Sequence, residues 1–238
     1  MPLAIDPHAR LSPFIGHGGL VLLVLHVLVS PYGLSDPVAA LAILLQTVFY
    51  VLLVMILVGS GSRARQTLAC FALIVASTVV RIVYPAGHGI AQAFADLALV
   101  AVGVFVLAVA TQRILVTRAV TPALISASIS VYLLAGIVWA IAFHAVESLH
   151  SGSFAVPAGH EDPTPGALYY LSFVTLTTLG YGDVSPSTGF ARSLAMLEAV
   201  FGQVFLVVLL GRVVSLQVAP RGPSARFEAS SELREAQA

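Results

Sequence analysis

The residues best suited to chemistry lie in one short stretch, Thr177 to Asp183, which reads Thr-Thr-Leu-Gly-Tyr-Gly-Asp. Gly180 and Gly182 lack a Cβ atom, so the backbone there can adopt positive φ and bring its oxygens close to a ligand. Asp183 would serve acid–base catalysis only beside a second carboxylate. Because Cys70 is the single cysteine, the sequence excludes a disulfide within the chain and a cysteine-rich metal site.

The composition places this stretch in a membrane protein. Of the 238 residues, 58% are hydrophobic and 9% are charged, against about 45–50% and about 25% in typical soluble domains. So few charges exclude a water-soluble chain, and so many apolar residues exclude a disordered one. The 11 basic residues, all arginine, balance 11 acidic ones, and they form no run or stripe suited to nucleic acid.

Six apolar segments are long enough to cross a bilayer, which takes roughly 20 residues at 1.5 Å each. Helix breakers support their boundaries, since Ser30-Pro31 and Pro85 fall in gaps between segments. Thr121 followed by Pro122 is a helix-start signal. The predicted spans are residues 14–30, 37–58, 66–84, 90–112, 121–147 and 190–218.

The arginines orient these spans, because loops rich in positive charge face the cytoplasm. With both termini inside, all of the arginines except Arg81 and Arg192 fall on the cytoplasmic side. This alternation works only with six spans. We therefore expect a multi-pass protein of the plasma (inner) membrane with cytoplasmic N and C termini.

One apolar segment between the last two spans is too short to cross. Residues 166–178 form a helix of only about 20 Å, against a hydrocarbon core of about 30 Å, and Thr164 and Pro165 supply its start signal. A segment that enters from outside must return. Because non-helical backbone at membrane depth must be buried in protein or line a water-filled cavity, we expect the stretch after this helix to line a cavity.

That stretch resembles the selectivity filter of potassium channels, whose signature is TVGYG. Leu179 stands in place of the valine, and the likeness extends over about residues 121–218. The chain is similar to bacterial six-span channels with a single pore loop. The resemblance implies an all-α membrane protein with six transmembrane helices, one re-entrant pore helix and filter loop, and a tetrameric pore.

The resemblance also implies a role for each residue of the TLGYGD segment, Thr178 to Asp183. Backbone carbonyls from four subunits would replace the hydration shell of K⁺, the permeant ion, so neither a cofactor nor an enzyme site is expected. The implied partners are three further copies of the chain, the lipid bilayer and K⁺, without nucleic acid. The implied K⁺-binding residues are Thr178, Leu179, Gly180, Tyr181 and Gly182, supported by Thr177 and Asp183.

Two other functions fit the same letters. A poorly selective cation channel would also use a pore loop, although the intact Gly-Tyr-Gly disfavours it. Residues 180–183 also fit the GxGD pattern of intramembrane aspartyl proteases, which need that aspartate on a helix near a second one. The residues after Asp183 begin no helix, and the other membrane aspartate, Asp96, lacks a preceding tyrosine.

The fourth span, 90–112, argues against voltage sensing. A voltage sensor needs several basic residues in that span, each contributing about 2.3 kcal/mol per 100 mV, and the span contains none. Weak or absent voltage dependence is expected. The predicted organisation is a four-helix N-terminal domain over 1–118, a pore domain over 119–218 and a short cytoplasmic tail over 219–238.

Further residues are candidates for assembly and gating. Arg81 and Asp96 flank a short outer turn at similar depth, and we expect an ion pair because lone membrane charges are costly. The resemblance implies a hinge at Gly202, for which close helix packing is the alternative. It also implies an inner gate lined by Leu206 and Leu210, for which a lipid-facing or helix-facing stripe is the alternative.

Two more polar side chains lie within predicted spans. Glu198 is expected to hydrogen-bond behind the filter or to pair with Arg192 of the partner subunit. For His144, helix packing is favoured over pH sensing, although an imidazole can titrate near neutral pH.

Overall fold

Helices make up most of the described chain. The computed structural model describes residues 20, 21, 23–25, 64–83, 89–117, 121–157 and 163–218, of which residues 20, 21 and 23–25 are helical. Two-residue strands β1 (Phe154–Ala155) and β2 (Ser185–Pro186) form an antiparallel pair. The longer elements are α1 (Ala64–Val83), α2 (Ile90–Val116), α3 (Pro122–Leu149), α4 (Pro165–Leu176) and α5 (Gly189–Val218).

Three of these helices are long and apolar enough to cross a membrane. They are α2, α3 and the Gly189–Leu209 part of α5, and α1 adds a shorter apolar stretch over Arg65–Val80. This architecture is consistent with the predicted all-α membrane protein. The predicted spans 14–30 and 37–58 lie outside the described residues, apart from the few helical positions named above, so the count of six stays a prediction.

The helices begin where the start signals of the sequence predict. The Thr121 hydroxyl accepts a hydrogen bond from the backbone N–H of Leu124 at 3.2 Å, at the start of α3. The Thr164 hydroxyl accepts in the same way from Ala167 at 3.2 Å, at the start of α4. The predicted short helix is therefore confirmed as α4, although it ends at Leu176, two residues earlier than the sequence indicated.

The main core lies between α2 and α3 of the same chain. Gly103 of α2 sits so close to Val138 of α3 that there is no room for a Cβ atom. Burying each aliphatic side chain contributes about 1.5–3 kcal/mol, so the two helices form one unit. The buried residues of this core include Leu99, Val102, Val106 and Val109 from α2 and Leu134, Ile137, Val138 and Ile141 from α3.

A second core joins α3, α4 and the strand pair. The rings of Phe143 on α3 and Phe154 on β1 lie 5.2 Å apart and share this core with Leu168 of α4. The Ser187 N–H also donates to the carbonyl oxygen of Ser153 at 2.8 Å. The chain that follows α4 therefore returns to the chain that precedes it.

Glu147, near the end of α3, holds the turn that leads into β1. Its carboxylate is fully buried and accepts from the backbone N–H of Gly152 at 2.7 Å and of Phe154 at 3.1 Å. Gly152 has a φ of 82°, a conformation that favours glycine. One side chain therefore fixes the path of the chain between α3 and β1.

Arg212 joins α5 to the C-terminal end of α2. Its Nη2 atom donates to the carbonyl oxygens of Leu115 and Thr117, both at 2.9 Å. The last carbonyls of a helix lack partners within the helix and favour a positive charge. Arg212 therefore supplies donors to a helix end that needs them.

Replacing Glu147 with alanine should destabilise the fold. The change leaves the backbone N–H groups of Gly152 and Phe154 without their acceptor, and the buried one, at Phe154, costs about 1–3 kcal/mol when left unpaired. Reversible unfolding in mixed detergent micelles measures the free energy. Glu147→Gln, which keeps one acceptor oxygen, should lie between wild type and the alanine variant. Equal stability of the alanine variant and wild type would contradict this role.

Candidate functional site

The backbone of the TLGYGD segment alternates between positive and negative φ. Thr178, Gly180 and Gly182 have φ values of 58°, 62° and 77°. The glycines adopt the conformation expected from the sequence, at no steric cost. Thr178 does so with a β-branched side chain, which costs about 1–3 kcal/mol and was not predicted. Surrounding contacts must therefore hold this residue in place.

Those contacts come from the end of α4. The carbonyl oxygen of Val174 accepts from the N–H of Leu179 at 2.9 Å and of Gly180 at 3.3 Å. The N–H of Thr178 donates to the carbonyl oxygen of Thr175 at 3.0 Å. Thr177 caps α4, and its hydroxyl donates to the Phe173 carbonyl at 2.6 Å. These bonds hold the first half of the TLGYGD segment against the last turn of α4.

The C-terminal end of the segment is tied to the first half of α4. The Tyr170 hydroxyl donates to Oδ1 of Asp183 at 3.1 Å. Asp183 lies in the loop before β2, not on a helix, and its carboxylate accepts this hydrogen bond from the phenol. This placement is unlike the helical, carboxylate-paired aspartate that the aspartyl protease alternative requires.

Two side chains from neighbouring helices hold α4. The Tyr132 hydroxyl on α3 donates to the carbonyl oxygen of Leu176, the last residue of α4, at 3.0 Å. The Ser172 hydroxyl, halfway along α4, lies 2.7 Å from the carbonyl oxygen of Gly136 on α3 and 2.5 Å from Oε1 of Glu198 on α5. Glu198 therefore does hydrogen-bond within its own chain, through a serine that the sequence analysis did not single out.

Gly202 lies against the end of α4. A Cβ atom at this position would stand 2.5 Å from the carbonyl oxygen of Leu176, which is backbone and cannot rotate away. Gly136 is similarly close to the Phe173 ring, at 2.8 Å. Close packing thus explains a glycine at 202 without a hinge, and the hinge stays a prediction.

The predicted gate is described only in part. Leu206 is half-buried on α5, one turn after Gly202, whereas the side chain of Leu210 lies outside the described residues. On a neighbouring face of α5, Phe201 and Phe205 stack at 5.8 Å and pack against Trp139 and Tyr132 of α3. The rings of Phe201 and Phe205 therefore mark the face of α5 that packs against α3.

Asp96 has a partner that the sequence analysis did not name. Its Oδ2 atom lies 2.6 Å from Nδ1 of His144 on α3, and both side chains are buried. An imidazole donates through a protonated nitrogen to a carboxylate, so this contact links α2 to α3. The side chain of Arg81 lies outside the described residues, and its pairing with Asp96 stays a prediction.

The sequence offered weak signals for the missed residues. A buried carboxylate in an apolar span must find a partner, which flags Asp96, Glu147 and Glu198 but does not identify His144 or Ser172. These pairs are separated by 48 and 26 positions along the chain. Partners so distant in sequence are fixed by the packing of helices, which local patterns do not encode.

Comparison with known proteins supports ion transport. A family profile described as "Ion channel" matches residues 129–218, from within α3 to the end of α5. This segment contains α4, the TLGYGD segment and the side chains that hold them, Tyr132, Ser172 and Glu198. No solved structure matches the chain.

Two plant proteins share part of this sequence. "Two pore potassium channel c" of Oryza sativa subsp. japonica is 36% identical over 84 residues, which are 35% of this chain and 18% of the relative. "Two-pore potassium channel 4" of Arabidopsis thaliana is 49% identical over 47 residues, 20% of this chain and 16% of the relative. The chain thus spans less than a fifth of either relative. Over the matched segments, the predicted likeness to potassium channels is supported.

Replacing Gly202 with alanine should lower the free energy of unfolding, because the end of α4 must move to make room for the methyl group. The added methyl group meets backbone, and overpacking of this kind costs about 1–3 kcal/mol. Gly211→Ala is the matched control, because its Cβ atom meets nothing within 4 Å. Unfolding free energies in detergent micelles compare the two. If both variants are equally stable, close packing at Gly202 does not explain the residue.

The contact between Asp96 and His144 should appear as a coupling energy. In a double-mutant cycle of Asp96→Ala and His144→Ala, we expect a coupling of about 0.5–3 kcal/mol in unfolding free energy. Ser130→Ala with His144→Ala is the control, since these residues lie about 21 Å apart along α3. Strict additivity of the first pair would overturn the contact.

Proposed function

We propose that four copies of this chain form a potassium-selective channel that conducts K⁺ passively. The observation that carries the proposal is the alternation of positive φ at Thr178, Gly180 and Gly182, directly after a helix too short to cross a membrane. Alternating backbone handedness lets successive carbonyl oxygens face one side. The matches to an ion-channel profile and to potassium channels support the same reading.

The residue types suit the permeant ion. A dehydrated K⁺ needs a cage of oxygens, which rings of backbone carbonyls supply without a fixed counter-charge. Thr178, Leu179, Gly180, Tyr181 and Gly182 would contribute these oxygens, and Asp183 and Thr177 would brace the two ends. We propose that α4 is the re-entrant pore helix, whose C-terminal end carries partial negative charge that favours a cation. No enzymatic reaction is proposed.

Surfaces left uncovered in the single chain support a tetramer. Leu179 is 56% exposed and Tyr181 is 67% exposed in the single chain. These 238 residues contain one TLGYGD motif, so a ring of four loops needs four chains with head-to-tail contacts. α5 also presents an apolar face that neighbours or lipid would cover: Met196, Leu197, Val200, Val204 and Val207.

The proposed membrane topology and domain boundaries are those expected from the sequence. We propose six spans in the plasma membrane with both termini cytoplasmic, an N-terminal domain over 1–118, a pore domain over 119–218 and a tail over 219–238. Gly202, Leu206 and Leu210 line the proposed gate region of α5. The basic residue of α2 is Arg113, in its last turn, so we propose weak or absent voltage dependence.

The proposal predicts K⁺-selective flux in liposomes that hold the purified protein and a K⁺ gradient. Ba²⁺ should block the flux. Gly180→Ala should abolish it, because alanine at a φ of 62° is strained by about 1–2 kcal/mol although the space around it is open. Gly189→Ala, which also meets open space but lacks positive φ, is the control and should conduct.

The same vesicles separate the alternatives. Equal flux of Na⁺ and K⁺ would favour a poorly selective cation channel. Peptide cleavage without ion flux would favour the aspartyl protease. Flux that rises steeply with membrane potential would contradict the proposed lack of voltage sensing.

A further inference from the structure

A buried carboxyl group lies where α5 crosses α4. Glu198 and its partner Ser172 both have no exposed surface. The structure places Oε1 of Glu198 2.5 Å from the Ser172 hydroxyl oxygen, and that oxygen lies 2.7 Å from the carbonyl oxygen of Gly136 on α3. Three helices thus meet at a chain of three oxygen atoms.

Counting protons along this chain identifies the form of Glu198. A serine hydroxyl carries one proton, and a backbone carbonyl carries none. If Ser172 gave its proton to an ionised Glu198, the Ser172 and Gly136 oxygens would face each other at 2.7 Å with no proton between them. Both contacts are satisfied only if Glu198 brings a second proton and donates it to Ser172.

The other carboxyl oxygen supports the same assignment. Among the described residues, Oε2 of Glu198 is buried without a hydrogen-bond partner. An anionic oxygen left without a donor is far costlier to bury than the carbonyl oxygen of a neutral acid. Glu147 shows the contrast, because both of its oxygens accept backbone N–H groups, as suits a carboxylate.

The surroundings supply no compensating positive charge in the described part of the chain. On α3, the Tyr132 phenol donates to the carbonyl oxygen of Leu176, and His144 lies beside Asp96 of α2. On α4, the titratable groups are the phenols of Tyr169 and Tyr170, and β2 has none. On α5, Arg192 is exposed and donates to the carbonyl oxygen of Pro186, and Arg212 donates to the end of α2.

We propose that Glu198 is held as a neutral carboxylic acid, and that through Ser172 it is a positioning residue that keeps α4 between α3 and α5 while the pore conducts. The second part of this inference rests on the proposed function. Ser172 lies in the same twelve-residue helix that leads directly into the TLGYGD segment. A shift of α4 therefore moves the oxygens proposed to bind K⁺.

The proposal makes conduction depend on one proton. At alkaline pH, hydroxide removes the Oε1 proton to give a carboxylate and water. Ser172 then turns its own proton toward Glu198 and releases Gly136, so α4 loses its link to α3. Wild-type flux should fall as pH rises, whereas the flux of Glu198→Gln, which keeps a neutral donor, should not respond to pH.

Infrared spectroscopy of the 238-residue chain in liposomes tests the protonation without requiring conduction. Subtracting the spectrum of Glu198→Gln from wild type at neutral pH should reveal the carbonyl-stretch band of a protonated carboxylic acid. Glu147→Gln is the matched control and should remove carboxylate bands. Loss of carboxylate bands alone in Glu198→Gln would overturn the proposal, whether or not the protein conducts.

A second variant guards against misfolding of the first. Ser172→Ala leaves Glu198 in place but removes the atom that receives its proton. The carboxylic acid band should persist and move to higher frequency, as hydrogen bonding to it is lost. An unmoved band would contradict the assignment of Ser172 as the acceptor.

Potassium flux tests the positioning role. Glu198→Gln should conduct within about twofold of wild type at neutral pH, and Glu198→Ala should lose about tenfold, the order expected for losing a hydrogen bond that holds α4. The decisive result is a flux that falls with rising pH in wild type and stays level in Glu198→Gln. Identical pH profiles, or full flux in Glu198→Ala, would overturn the role. Absence of flux in wild type would instead contradict the proposed function.

Discussion

The structure depends on satisfying the backbone at the end of a helix too short to cross a membrane. α4 stops at Leu176, and its last carbonyls would be costly if left unpaired away from water. The carbonyl oxygen of Leu176 accepts a hydrogen bond from the Tyr132 hydroxyl. The carbonyl oxygen of Val174 accepts from the N–H groups of Leu179 and Gly180. Close approach at Gly136 and Gly202 is the steric condition for these bonds, because larger residues there would push α3 and α5 away.

The TLGYGD segment does not hold its own shape. Thr178 carries the strain of positive φ, and the N–H groups of the first half of the segment bond to the carbonyl oxygens of Val174 and Thr175 on α4. Its conformation is imposed from both ends, by the last turn of α4 and by the bond between Tyr170 and Asp183. Small movements of α4 therefore change the backbone conformation of the segment. The packing of α4 against its neighbouring helices determines how well that conformation is fixed.

Local features of the sequence predicted much of this arrangement. Thr121 and Thr164 identified two helix starts, and Gly180 and Gly182 identified two of the three positive-φ positions in the TLGYGD segment, because caps and glycines act within a few residues. The partners of Glu198, Asp96 and Glu147 were not predictable in the same way. Identifying each partner requires knowing which helices are in contact and how they are rotated about their axes. Charge spacing alone suggested Arg81 as the partner of Asp96, whereas the structure places His144 beside it.

The hydrogen bonds of Arg212 attach α5 to the C-terminal end of α2. Its guanidinium spans the carbonyls of Leu115 and Thr117, at the opposite end of α5 from the loop that follows the TLGYGD segment. Displacing that end of α5 alone breaks two charge-assisted bonds, whereas displacing both helices together breaks neither. Any displacement of α5 that keeps these two bonds must therefore carry the end of α2 with it, and with α2 the core that it shares with α3.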